Sequence, residues 1–231
     1  MQPDGSIIEL CHVTRDLDAA LLHWTHDLGA GPFFVFDVPV LPGQLYYGEP
    51  TEVSMRVGFG FSGGILIELL QQTNEGASPF LDFLRERGEG LHHIMPRTDF
   101  DTGYARLSAA GHEVAYSGTM LGGERFCLFD TKAANGCYVE LMELSAAMQS
   151  SLALMEKAHL MWDGVTDPVR GMERLAELAV DVEAVDAVAQ GAEVRPLGSG
   201  IGDQRAHPVD VGKAQPVGLA VVGDGAGLEH V

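Results

Sequence analysis

Apolar and polar positions alternate strictly around residues 52–61. Val53, Met55, Val57, Phe59 and Phe61 fall on one side of an extended chain, and Glu52, Ser54, Arg56, Gly58 and Gly60 on the other. The run that follows returns the pattern: Ile65, Ile67 and Leu69 match the apolar face, with Leu66, Glu68 and Leu70 opposite. If "SGG" is a three-residue loop, the two apolar faces coincide, Phe61 pairs with Ile65, and Gly58 pairs with Glu68. Glu68 then shares its face with Glu52, Ser54 and Arg56.

The same kinds of element recur further along. Residues 6–75 read as a strand "SIIELCHV", a helix opening near Asp16, and the strands just described; residues 88–146 read as "GLHHIMP", a helix between Asp99 and Ala110, and the strands of "ERFCLFDTKAANGCYVELME". Asp16 or Asp18 can cap the first helix, and "GAG" at 29–31 ends it. Asp99 or Asp101 can cap the second, which Gly111 terminates. A period this long points to two tandem βαβββ modules, and so to an α+β domain over residues 1–146.

Residues 147–231 form a separate extension. A helix is expected over about 147–162, with Leu152, Met155, His159 and Trp162 near helical spacing. After Trp162 the chain contains no Phe, Tyr or Trp, and its Gly, Val and Ala can bury little surface against the entropy of ordering. The extension is therefore expected to be weakly structured beyond the helix.

Charge narrows the partners. The net charge of −19 rests on 33 acidic against 14 basic residues, a surface that repels nucleic-acid backbones and anionic lipid. No stretch is long and apolar enough to span a membrane, and the N-terminus lacks a basic region followed by an apolar run. Cys11, Cys127 and Cys137 stand at no metal-ligand spacing and read as reduced thiols. A cytoplasmic protein with a small-molecule partner is expected.

The candidate chemistry centres on "GLHHIMPR". Successive strand residues point to opposite faces, so one of His92 and His93 serves a given pocket. Comparison with "ELCHVTRDLDAALLHW" aligns His93 with His12 and makes His92 the outward neighbour.

These stretches resemble the vicinal oxygen chelate superfamily, which includes glyoxalase I, methylmalonyl-CoA epimerase, extradiol dioxygenases and bleomycin-resistance proteins. The resemblance covers roughly residues 7 to 145. It is strongest to the epimerase branch, through "IELLQQTNEGASPFLDFLRERGEGLHHI" and "GGERFCLFDTKAANGCYVELME". It implies a cupped mixed sheet formed by the two modules, with helices on its outer face, and a metal centre at His12, Glu68, His93 and Glu140. Two imidazoles and two carboxylates suit Co²⁺, Ni²⁺, Zn²⁺, Mn²⁺ or Fe²⁺ and leave room for a substrate oxygen.

The implied activity is that of an isomerase, epimerase or lyase working through an enolate on a small carbonyl, carboxylate or acyl-CoA substrate. The base is either Glu52 or Glu140. Arg56, with Ser54 on the same face, can bind a substrate carboxylate or pair with Glu52. An Fe²⁺ ring-cleaving dioxygenase and a non-catalytic drug-resistance binding protein are the alternatives, and the resemblance implies a homodimer.

Overall fold

The computed structural model describes residues 3–178. The expected weak structure of the distal extension falls largely outside these residues. The first strand, β1 (Ile7–Val13), leads into α1 (Leu17–Leu22), where the Asp16 carboxylate accepts from the Ala19 amide at 3.0 Å and satisfies a free helix-start donor. One wider turn, 23–27, continues α1. Then come β2 (Phe33–Val38), two short strands β3 (Leu45–Tyr46) and β4 (Glu49–Pro50), and the hairpin β5 (Met55–Ser62) and β6 (Ile65–Gln72).

Helix α2 (Pro79–Glu86), capped by Ser78, carries the chain to β7 (Gly90–Pro96). Helix α3 (Phe100–Ala109) opens on Asp99, which accepts from the Thr102 amide at 2.9 Å. After it stand β8 (Val114–Thr119), β9 (Arg125–Phe129), the single turn α4 (Lys132–Asn135) and β10 (Tyr138–Met142). Helix α5 (Ala146–Met161) and a last strand β11 (Val169–Gly171) follow.

All the strands join one mixed sheet in the order β11-β2-β5-β6-β1-β7-β10-β9-β8-β3-β4. The α+β class read from the sequence is the class the chain adopts. The order places β6, β1, β7 and β10 side by side at the centre, with β1 parallel to β6 and antiparallel to β7. Leu17 and Leu21 of α1 pack with Phe33, Ile67 and Leu69 on one face of the sheet. On the other face, Cys11, Val13, Val57, Leu70, Leu128 and Tyr138 share a core with Phe80 and Phe83 of α2. Helix α5 closes a further cluster through Met155 and Ala158 against Phe34, Phe61 and Leu66. Among the described residues no helix is long and apolar enough to cross a membrane.

The β5–β6 hairpin departs from expectation by one residue. Only Gly63 and Gly64 form the loop, so Ser62 pairs with Ile65, Phe61 with Leu66, and Glu68 with Phe59 rather than Gly58. Side chains alternate with a period of two, so this single step moves Glu68 to the face of Val57 and Phe59, away from Ser54 and Arg56. Gly63 takes φ +59°, a left-handed backbone that suits a two-residue loop.

Gly60 has a packing reason. A Cβ there would lie 2.8 Å from the ring of Phe33, which is fully buried and cannot give way. Gly60→Ala is expected to destabilise the fold by about 1–3 kcal/mol, the usual cost of overpacking. A lower urea midpoint with an unchanged slope would check it.

Candidate metal centre

Four buried side chains converge on one face of the central strands: Glu9 of β1, Glu68 of β6, His93 of β7 and Glu140 of β10. Their donor atoms all lie within 4.8 Å of one another, and their exposures are 4%, 8%, 2% and 7%. Sheet order explains the meeting. Cys11 stands across from Glu68 in one ladder and from His93 in the other, and Tyr138 pairs with His93, so the four carriers are ladder neighbours. Glu68, His93 and Glu140 are thus brought together as a group.

His12 is not among them. On β1 the buried positions are Glu9, Cys11 and Val13, whereas His12 belongs to the alternate set and meets the edge of Trp24 with ring centroids 5.1 Å apart. The acid three residues earlier stands where His12 was expected. Glu52, Ser54 and Arg56 are likewise elsewhere. Glu52 is exposed, its backbone carbonyl accepting from Asn74. Ser54 meets Thr73, and Arg56 pairs with Asp18 at 2.9 Å. The one-residue register step carries Ser54 and Arg56 to the opposite face from Glu68.

His92 also departs from the outward role. The β1–β7 pairing slips between Cys11 and His12, whose partners are His93 and Leu91, and His92 is the extra residue of this bulge. Both histidines are therefore buried. The His92 ring stacks on Tyr138 at 4.8 Å and packs against Phe80 and Phe83. Its Nδ1 lies 2.9 Å from Nδ1 of His93.

The electrostatics of this group require a positive charge. Burying an unpaired ionised carboxylate costs several kcal/mol, and here three surround a single imidazole. Nε2 of His93 lies 3.2 Å from an oxygen of Glu68 and 3.2 Å from one of Glu140, yet it is aligned for a hydrogen bond with neither. Nε2 thus faces the carboxylates with no hydrogen-bond partner among the described residues. One nitrogen and three carboxylate groups converging this way fit a divalent ion of the harder kind.

Without an ion the group balances its charge with protons. Burial, reinforced by Glu68 and Glu140, pushes the Glu9 carboxyl up to about 8. Burial opposes charge on His93, but Cys11 and Glu140 outweigh it and hold the imidazole well above its usual range. Burial likewise opposes ionisation of Glu68, yet the adjacent charge of His93 keeps that carboxyl low. His92 is held neutral by burial and by the charge of His93.

These shifts have a sign. A carboxyl whose folded value is raised binds its proton more tightly when folded, so between about 4.5 and about 8 the Glu9 contribution to stability falls as pH rises. The raised imidazole of His93 acts in the same direction above its ordinary range, whereas Glu68 contributes stability that is lost only in acid. Metal binding needs the deprotonated ligands, so its stabilisation grows as pH rises. With chelator, Tm should fall between pH 5 and pH 8; with excess Mn²⁺ the gain over the chelated protein should be larger at pH 8. Thermal scans with and without chelator check both slopes.

Beside the group lies an apolar chamber of about 90 Å³, onto which Glu68, His93 and Glu140 open. Its other walls include Phe36, Val57, Phe59, Leu70, Met120 and Met148, with no Lys or Arg among the described residues. Tyr116 also lines it. The Tyr116 hydroxyl is buried without a hydrogen-bond partner, and burial holds it protonated. Glu9 goes unremarked in the sequence, Cys11 reads there only as a reduced thiol at no metal-ligand spacing, and Tyr116 goes unremarked. Parity of Glu9 with Cys11 and Val13 was the available signal for the first two; Tyr116 carried none.

Several solved structures are similar to this chain. One is described as a hypothetical protein, BH1468, from Bacillus halodurans C-125, at 19% identity and TM-score 0.47, over 61% of this chain and 94% of that one. Another is methylmalonyl-CoA epimerase from Mycobacterium tuberculosis, at 20% identity and TM-score 0.45, over 65% and 97%. A third is a Streptomyces coelicolor methylmalonyl-CoA epimerase variant in complex with 2-nitronate-propionyl-CoA, at 24% identity and TM-score 0.41, over 62% and 97%. No curated protein matches. The family whose sequence pattern fits residues 10–129 is described as the Glyoxalase/Bleomycin resistance protein/Dioxygenase superfamily. That span is more than half of the 231 residues, and the chain belongs to this superfamily.

Proposed function

We propose that the protein is a metal-dependent isomerase, epimerase or lyase that removes a proton next to the carbonyl of a small, neutral, apolar substrate. The observation that carries this reading is a buried group of three carboxylates and one imidazole opening onto an apolar chamber. Glu9, Glu68, His93 and Glu140 would hold the ion. This donor set favours Mn²⁺ or Fe²⁺ within the wider group of Co²⁺, Ni²⁺, Zn²⁺, Mn²⁺ and Fe²⁺. A bound divalent ion supplies Lewis acidity, which lowers the energy of negative charge developing on a substrate oxygen.

The chain's own residues do the rest. For His93 to offer Nε2 to a cation, its Nδ1 must carry the proton and donate to Nδ1 of His92, which fixes the ring. Glu140 faces the chamber and is the base assigned here; it takes the proton from the carbon next to the carbonyl. Tyr116 offers a protonated, unpartnered hydroxyl to the substrate oxygen. The apolar walls exclude water and strengthen these interactions. Among the described residues no Lys or Arg lines the chamber, so a substrate carboxylate or the phosphates of coenzyme A would find no basic partner among them.

Deuterium incorporation tests the reading. Propiophenone, 2-methylmalonyl-CoA and a hemithioacetal are incubated in heavy water with stripped and Mn²⁺-loaded protein, and mass spectrometry reads the exchange. Mn²⁺-dependent exchange into propiophenone supports it. Oxygen uptake with a catechol on the Fe²⁺-loaded protein, and no exchange in any of the three compounds, would move the protein to ring-cleaving dioxygenases.

A further inference from the structure

We infer that Cys11 is a fifth donor of this centre, and that with Glu68 and His93 it forms a second ion position taken by softer metals. The inference rests on the metal-binding reading above. Cys11 is fully buried, and it is the ladder partner of both Glu68 and His93. Its Sγ, a carboxylate oxygen of Glu68 and a ring nitrogen of His93 all lie within 4.8 Å of one another. The oxygen-rich group of Glu9, Glu68, His93 and Glu140 meets the same criterion separately. The two donor sets therefore overlap, sharing Glu68 and His93.

Sharing has a chemical consequence. Each set takes a single ring nitrogen of His93, and one nitrogen lone pair binds one ion at a time, so the positions compete. A hard ion gains most from the three carboxylates. A borderline or soft ion such as Co²⁺ or Zn²⁺ gains from sulfur, and Cys11 provides it as a thiolate whose proton leaves to solvent. The buried Nε2 of His93 has no hydrogen-bond partner among the described residues and is a donor not committed elsewhere. Cys127 and Cys137 are also buried and free but belong to neither set. An ion at the thiolate position leaves Glu9 and Glu140 outside its donor set, so the identity of the metal decides whether Glu140 is a ligand or a free carboxylate.

The test titrates the stripped full chain with Co²⁺ and with Mn²⁺ under anaerobic conditions. Wild type should show a near-ultraviolet sulfur-to-cobalt charge-transfer band that saturates at one equivalent. Cys11→Ser should lose the band and at least about tenfold in Co²⁺ affinity, while Mn²⁺ affinity changes less than about threefold. Cys127→Ser should keep the band.

Cobalt bound at one equivalent without the band, or a band that survives in Cys11→Ser, overturns the inference and leaves the metal-binding reading standing. Binding of neither ion overturns both. If Cys11→Ser fails to fold, X-ray absorption of cobalt-loaded wild type decides: a sulfur scatterer in the cobalt shell supports the inference, and a shell of nitrogen and oxygen alone overturns it.

Discussion

Alanine in place of His93 is expected to lower Mn²⁺ affinity by more than about 100-fold, beyond the 10–100-fold typical of losing a supporting partner around a metal. His93 is the single nitrogen donor of a group otherwise made of carboxylates, so the variant keeps the negative charge and loses the group that offsets it without an ion. The metal-free variant should also be less stable, by the roughly 3–5 kcal/mol that follows when one member of a buried charge pair is removed. Alanine at His12 should change affinity less than about threefold, because that ring lies against Trp24 and outside the donor group. Isothermal titration of both variants, beside urea unfolding with chelator, reads the two effects separately. Equal loss at His12 and His93 would contradict the arrangement.

The second large effect is on proton transfer. At saturating Mn²⁺, Glu140→Gln should slow deuterium exchange by about 10²–10⁴-fold, the range in which a positioned base contributes. Glu52→Gln should leave the rate within about twofold, since Glu52 is exposed and, among the described residues, it is its backbone carbonyl that is engaged. Measuring the rate across Mn²⁺ concentrations separates lost ion from lost base, because the first is restored by more Mn²⁺ and the second is not. Full exchange in Glu140→Gln with loss in Glu52→Gln would reverse the assignment.

Much of this arrangement is legible in the sequence. The alternation of residues 53–61, the Asp caps of the helices, and the carriers of Glu68, His93 and Glu140 follow from patterns local enough to read in one dimension. What escaped depended on single-residue offsets between strands. "SGG" can close a hairpin with two or three residues, and the choice reverses which face of β5 joins Glu68. On β1 both faces are covered, one by α1 and one by the inner core, so apolar alternation alone does not say whether His12 or Glu9 and Cys11 look inward. The bulge at His92 adds a residue that no periodicity announces, and it buries a histidine whose parity pointed outward. Glu9 was also the wrong kind of residue to attract attention: an acid near a strand start is ordinarily solvated, and only its neighbours in the sheet make it otherwise.

The central claim is the place of the ion. Crystals grown with Mn²⁺, with data collected near the manganese absorption edge, report that place directly through anomalous difference density. The expected result is one strong peak enclosed by Glu9, Glu68, His93 and Glu140, with Tyr116 on the chamber beside it. A peak beside His12, or the absence of any peak within that group in crystals saturated with Mn²⁺, would contradict it.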